Sequence, residues 1–276
     1  MYFLRLQIYQ PQAHYRIPFT YQRRHTYPIP PYSTVIGFLC NVLGIDDPVK
    51  TVKIGNNSVV LYEQLKKIKI SIAGRFESKT TEYIWFRNLS ATAHEKRFAS
   101  VNNRFINGHV EHIGGQSPVL IDTLDEVNLI IYLAHEDKEF LELIKSSIEF
   151  PVRRLEILHL GRAEDWIVIK EISAVSELNF PVKRNDMRTD YFFWIPEKMY
   201  VTNHDLLPSD FHQFQGLLYR ITTWWEVQDF EKTYNRHGYR NFQYMPVKLN
   251  DGLFVRQQFM IDEQHKNFPV FFADLN

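Results

Sequence analysis

Apolar and polar positions change period several times along this chain, and each change marks an element. Residues 2–9 alternate loosely and stop at Pro11, which predicts a first strand. Ile36, Leu39, Cys40 and Leu43 then recur at i, i+3, i+4 and i+7, one face of a helix. Ser33 reads as its N-cap and Gly44 as the residue that ends it. Residues 66–73 alternate again as a second strand, and 127–134 form a strongly apolar third. A helix follows over 138–148, with Phe140, Leu141, Ile144 and Ile148 on one face. Residues 155–160 and 166–172 read as strands framing the turn G-R-A-E-D at 161–165. Strand, helix, strand, insertion, strand, helix, strand is the split βαβ, or ferredoxin-like, pattern, an α+β fold.

The insertion, about residues 75–118, has no clear core period. It is basic and aromatic, with Lys79, Trp85, Arg87, Arg97 and Arg104 among its residues. A long segment of this kind inside a compact domain suggests a functional one. Residues 83–86 and 108–113 are expected to be the arms of a hairpin. Residues 180–190 read as a linker or edge loop. Beyond them, strands are expected at 217–227, 242–249, 253–261 and 269–272, with a short helix near 209–218 and a turn at 262–267. The chain is therefore divided into a ferredoxin-like region, 1–180, and a β-rich region, 181–276.

Charge sharpens this picture. The formal net charge is +0, which argues against a freely acting nucleic-acid binder and makes any such site local. Residues 1–45 hold four Arg and no acid, whereas 119–149 hold eight acids and two Lys. The stretch from Ala13 to Leu43 carries Arg16, Arg23, Arg24, His14 and His25 among Tyr15, Phe19, Tyr21, Tyr27 and Tyr32. Cations interleaved with rings suit a polyanion whose bases stack. Pro28, Pro30 and Pro31 stiffen the approach to the helix. Gly37 inside that helix costs about 1 kcal/mol relative to Ala, and a close approach of backbone or ligand is one reason to keep it.

The candidate chemistry is that of binding. Tyr32, Ser33 and Thr34 open a helix directly after the basic arm, either as a plain cap or as a phosphate site. Gly161 and Arg162 make either a tight turn or a phosphate grip. His109 and His112 lack a nearby third ligand, so no metal is expected, and no cofactor motif occurs. Cys40 is the only cysteine, which fits a reducing cytoplasm and reads as a small core hydrophobe. The N-terminus is too short and polar for a signal peptide, and no run is long enough for a membrane helix.

These residues resemble a known family. A first strand, then A-H-Y-R-I-P, then T-Y-P-I-P-P-Y-S-T-V-I-G-F-L-C-N-V-L-G, is similar to the N-terminal signature of the CRISPR-associated Cas-five family of the RAMP superfamily. The turn L-G-R-A-E-D-W at 160–166 is similar to that family's later glycine-rich segment. The resemblance is sharp over 1–45, supported at 155–172 and loose elsewhere; length and turn look most like type I-B. It implies an RRM-type domain with a thumb hairpin, placed here at 75–118. It implies a non-catalytic subunit of a type I interference complex (Cascade) that holds the crRNA 5′ handle. The implied partners are repeated backbone subunits, a large subunit and a processing nuclease, with target DNA met through the complex. Arg16, Tyr27, Tyr32, Ser33, Thr34, Gly161 and Arg162 fall in the matched motifs and are expected at the handle; Arg23 and Arg24 lie in the arm. Arg87, Arg97 and Arg104 are thumb candidates without a motif match. One branch of the family cleaves crRNA with Tyr, Lys and His. That arrangement does not map onto this chain, which has no Lys in its first 49 residues, so a metal-independent endoribonuclease using His14 or His25 is the alternative.

Overall fold

A computed structural model describes residues 1–18, 20, 22–47, 49–54, 57–87, 105–106, 109–110, 116–201, 207–228 and 239–275. In chain order the elements begin β1 (Tyr2–Ala13), β2 (Arg23–Arg24), α1 (Tyr32–Leu43), β3 (Thr51–Ile54), β4 (Asn57–Val60), α2 (Leu61–Lys66) and β5 (Lys69–Arg75). Then come β6 (Ser78–Arg87), β7 (Phe105–Ile106), β8 (His109–Val110), β9 (Gln116–His135), α3 (Lys138–Glu149), β10 (Val168–Ile172) and β11 (Ser176–Glu177). The remainder is β12 (Val182–Arg188), β13 (Phe192–Pro196), β14 (Leu217–Gln228), β15 (Tyr239–Asn250), β16 (Leu253–Asp262) and β17 (Phe268–Val270).

The main sheet runs β10-β1-β9-β5-β13-β15-β14. Its first four strands, with α1 and α3 as crossovers, are the ferredoxin-like order expected from the sequence. Leu6 pairs with Ile131, and Ile131 with Ile72, so three apolar strands share one register. Along β9 the side chains alternate. Leu129, Ile131 and Leu133 join the core under the helices, while Ile130, Tyr132 and Ala134 join a second core on the opposite face. Both faces are therefore covered, which explains why β9 reads as an almost unbroken apolar run. The second core is built from Phe193, Phe254, Phe259, Phe271 and Phe272, brought in largely by the small sheet β12-β16-β17 and the tail after it. The surface on which an RRM-type sheet would stack bases is filled by these rings.

Residues beyond 180 also extend the main sheet. β13 pairs with β5 at Phe193 and Ala73, and β15 and β14 follow outward. The sheet curls so that Ile221 and Val247 share the core of α1. Each large aliphatic side chain that α1 buries there, such as Leu39 or Val42, contributes about 1.5–3 kcal/mol.

Some expectations are corrected. Helix α1 starts at Tyr32 with Pro31 in the N-cap position and no side-chain cap, so Ser33 is not the cap. Its hydroxyl instead lies 2.5 Å from that of Thr222 on β14. Gly44 does end the helix, at φ 67°. Residues 155–160 are not a strand: their only ladder contact is the bridge His159–Trp166, and the Asn41 side chain accepts from the Leu155 and Glu156 amides. Residues 182–188 are strand β12 rather than linker, an edge strand whose outward side is polar.

Candidate nucleic-acid interface

Strand β9 is twenty residues long, and its first half extends past its pairing with β5. There it pairs with β6 from Ser78–Asp125 to Arg87–Gln116, and β2 joins in parallel at Arg23–Leu120. The arms of this strand pair are 78–87 and 116–125, not the expected 83–86 and 108–113; His109 and Val110 pair instead with Ile106 and Phe105. Alternation gives the β6–β9 hairpin two different faces. Thr80, Glu82 and Ile84 lie on one, and Lys79, Thr81, Tyr83 and Trp85 on the other.

The second face is organised by Asp122. Its carboxylate is fully buried, yet it touches the side chains of Arg23, Lys79 and His25, each close to half-exposed. Arg23 donates through Nε at 3.0 Å, Lys79 Nζ lies at 2.9 Å, and His25 Nδ1 lies at 2.9 Å. The Thr81 hydroxyl donates at 3.0 Å. Burial alone would raise this carboxyl, but the hydrogen bonds from Lys79, His25, Arg23 and Thr81 outweigh it and hold Asp122 well below the usual carboxylate range. One anion thus fixes Arg23 and Lys79 and leaves an excess of positive charge facing solvent. Beside them stand Tyr83, Trp85 and Leu120, 59%, 57% and 38% exposed. The two rings meet edge to face at 5.9 Å. Oriented cations for phosphates next to open ring faces for bases make a single-strand platform.

The turn at 161–165 does different work. Gly161 has φ +107°, and an added Cβ would stand 2.6 Å from the Asp165 carboxylate and 2.8 Å from the His14 carbonyl. Buried Asp165 accepts from the backbone amides of His14 and Arg162 at 2.9 and 2.8 Å. Arg162 is enclosed: it bonds Asp165 at 2.8 Å, Glu82 at 3.1 Å and the Gln12 side chain at 3.2 Å. It pins the turn to β1 and to the inner face of the hairpin, with three carboxylates around one guanidinium. The expectation that Gly161 and Arg162 grip RNA is corrected to a structural latch.

The other expected residues divide. Arg16 is exposed, and its Nη2 donates to the Thr20 carbonyl at 3.2 Å. Arg24 is half-buried, and burial together with the nearby charge of Arg16 lowers its pKa. Arg16 and Arg23 thus keep their side chains at the surface, and Arg24 lies partly beneath it. Tyr27 and Tyr32 do not reach it, because they are 5% and 0% exposed. Tyr27 packs edge-on against Trp194 and Tyr219, and burial pushes its hydroxyl up to about 12. Thr34 lines a cleft of about 350 Å³ between α1 and residues 155–161. The side chain of Arg87, and Arg97 and Arg104 entirely, lie outside the described residues. Lys79 and Trp85 were visible only as members of a basic-aromatic insertion, and Asp122 and Tyr83 were missed as site residues. The period-two series Lys79, Thr81, Tyr83, Trp85 is the signal that could have found one face.

Neither His14 nor His25 has a second histidine as an acid–base partner among the described residues. His14 is buried with Nδ1 on the Asp122 carbonyl at 2.8 Å, and burial lowers its pKa, so it is neutral near pH 7. His25 is engaged by Asp122. Among the described residues no group of three or more His, Cys, Asp or Glu could hold a metal ion, and no helix is long and apolar enough to cross a membrane.

The fold and this face define a ferredoxin-like, RAMP-type protein with an aromatic, cationic hairpin. The chain belongs to the CRISPR-associated protein (Cas_Cas5) family, whose model matches residues 3–187. It is similar in fold to a chain of a solved "CRISPR RNA-guided surveillance complex", at 10% identity and TM-score 0.51, covering 94% of this chain and 91% of that one. A structure titled "Crystal structure of Cas protein" is 10% identical at TM-score 0.45, covering 92% and 95%. A CRISPR protein from Archaeoglobus fulgidus is 11% identical at TM-score 0.39, covering 99% of each chain. No curated protein sequence matches the chain.

Proposed function

We propose that the chain is the non-catalytic RNA-binding subunit of a type I CRISPR interference complex. It holds the crRNA 5′ handle and closes one end of a filament of backbone subunits. The observation that carries this reading is the outer face of the β6–β9 hairpin, where Asp122 orients Arg23 and Lys79 beside the open rings of Tyr83 and Trp85. Phosphates take the cations and unstacked bases take the rings, a mode that suits single-stranded RNA. Family membership and a fold shared with a chain of an RNA-guided surveillance complex support it.

A net charge of +0 fits a subunit whose remaining surface meets other proteins. Those partners are the repeated backbone subunits, a large subunit that reads the flanking motif on target DNA, and a separate processing nuclease. Length and the G-R-A-E-D turn favour the type I-B branch, and the single Cys40 suits action in a reducing cytoplasm. The test is purification of the complex from cells carrying Lys79→Ala with Trp85→Ala. The crRNA content per complex is expected to fall sharply; unchanged content overturns the site.

A further inference from the structure

Gly37 has no reason in the fold to be glycine. It sits in the interior of α1 at an exposed position, without the positive φ that favours glycine, and a Cβ added there meets nothing within 4 Å. Glycine is the poorest helix former after proline, so this position weakens α1 without relieving any crowding. What it does is keep one wall of a cleft flat. That cleft, of about 350 Å³, is lined on the α1 side by Thr34, Gly37 and Asn41 and on the other by Leu155, Glu156 and His159. Its volume is at the low end of the range for small-ligand sites, about 300–1,000 Å³.

The polar groups choose the occupant. The Asn41 carbonyl oxygen is spent on the Leu155 and Glu156 amides, which holds the second wall in place. His159 Nδ1 lies 2.9 Å from the Ile157 carbonyl and donates to it. Glu156, exposed at the cleft, adds a carboxylate. That carboxylate repels phosphate and favours a flat ring with N–H donors. Resting on the reading above, we infer that the cleft holds one unstacked base of the bound RNA, with guanine the best match. Its N1–H and N2 amino group form a paired donor edge for the Glu156 carboxylate, its ring lies between the Gly37 backbone and Leu155, and the Thr34 hydroxyl serves the remaining edge.

Gly37→Leu fills the cleft, and Gly37→Ala begins to. Both replace glycine with a better helix former at an open position, so both are expected to melt higher than the wild type. Fluorescence anisotropy with labelled single-stranded RNAs then compares a sequence holding one guanine with the same sequence holding adenine there. The guanine RNA is expected to bind the wild-type chain roughly tenfold tighter, the worth of hydrogen bonds to the carboxylate that adenine cannot make. Gly37→Leu and Glu156→Gln should abolish that preference while leaving the adenine RNA's affinity unchanged. Saturation-transfer NMR with free guanosine should show transfer from the wild type and none from Gly37→Leu. RNA bound without any guanine preference, or with one that Gly37→Leu preserves, overturns the cleft but not the hairpin. If the wild type binds no RNA, the functional reading fails, and guanosine alone decides the cleft: transfer that Gly37→Leu removes supports it, and absence of transfer overturns it.

Discussion

The guanidinium of Arg23 lies 3.0 Å from the carboxylate of Asp122, ninety-nine positions away in sequence. The pair joins the basic arm to the base of the hairpin. It turns two segments of opposite character into one surface, because the acid is buried while the cation stays half-exposed.

Replacing Asp122 by Asn should cost about 1–3 kcal/mol, since Arg23, Lys79 and His25 lose a charged acceptor but keep access to water. The pH dependence follows from the sign of the shift. A carboxyl depressed in the folded state adds stability above its unfolded pKa of about 3.9, and that stability is lost as pH falls through the folded value. Urea denaturation across acid pH should therefore show a flatter dependence below about pH 4 in Asp122→Asn than in the wild type.

Lys79→Ala should weaken single-stranded RNA binding and lower the slope of log affinity against log salt by about 0.7, the share of one phosphate contact. Arg162→Ala should destabilise the chain while leaving that slope unchanged, because its charge is spent on Asp165, Glu82 and Glu164. Salt titrations of both variants separate the two roles.

Trp85→Ala should cost RNA affinity by about 1–3 kcal/mol, the range for a base stacked on an aromatic ring. Tyr27→Phe should leave binding unchanged, since that ring is packed against Trp194 and Tyr219. Anisotropy measurements on the two variants check the contrast.

Gly161→Ala should destabilise by about 2 kcal/mol, combining an unfavourable positive φ with contacts to Asp165 and His14 that leave no room for a Cβ. Thermal unfolding measures the loss.

Incubated with repeat RNA and chelator, the chain should leave the RNA intact. His14 is buried and neutral near pH 7, with its Nδ1 engaged by the Asp122 carbonyl, and cannot reach a substrate proton. Site-specific cleavage that His14→Ala abolishes would refute the non-catalytic reading.

The ferredoxin-like order was legible because its strands and helices carry their own periods. Val127 to Ala134 and the face of Phe140, Leu141, Ile144 and Ile148 need only local spacing to be recognised. The arm and insertion were legible as basic and aromatic, but the strand partner of 83–86 was not, because β6 pairs with the early part of β9 rather than with 108–113.

Which of those residues face solvent was not written in local pattern. Tyr27 and Tyr83 are the same residue type in similar surroundings, yet one is core and the other open, because only one lies on the outer face of a strand pair that leaves the sheet. Arg23 and Arg162 are likewise both arginines beside polar residues. The first shares one buried acid with other cations and keeps charge to spare, whereas the second meets three acids contributed partly by the distant strand β6. By itself the sequence determined the ferredoxin-like strands and helices and their order, and where cations and rings are concentrated, since periodicity and composition are properties of neighbours along the chain. The pairing of β9 with β6 and β2 alone decided which cations remain free for a phosphate, since that balance depends on acids brought close only by the tertiary fold.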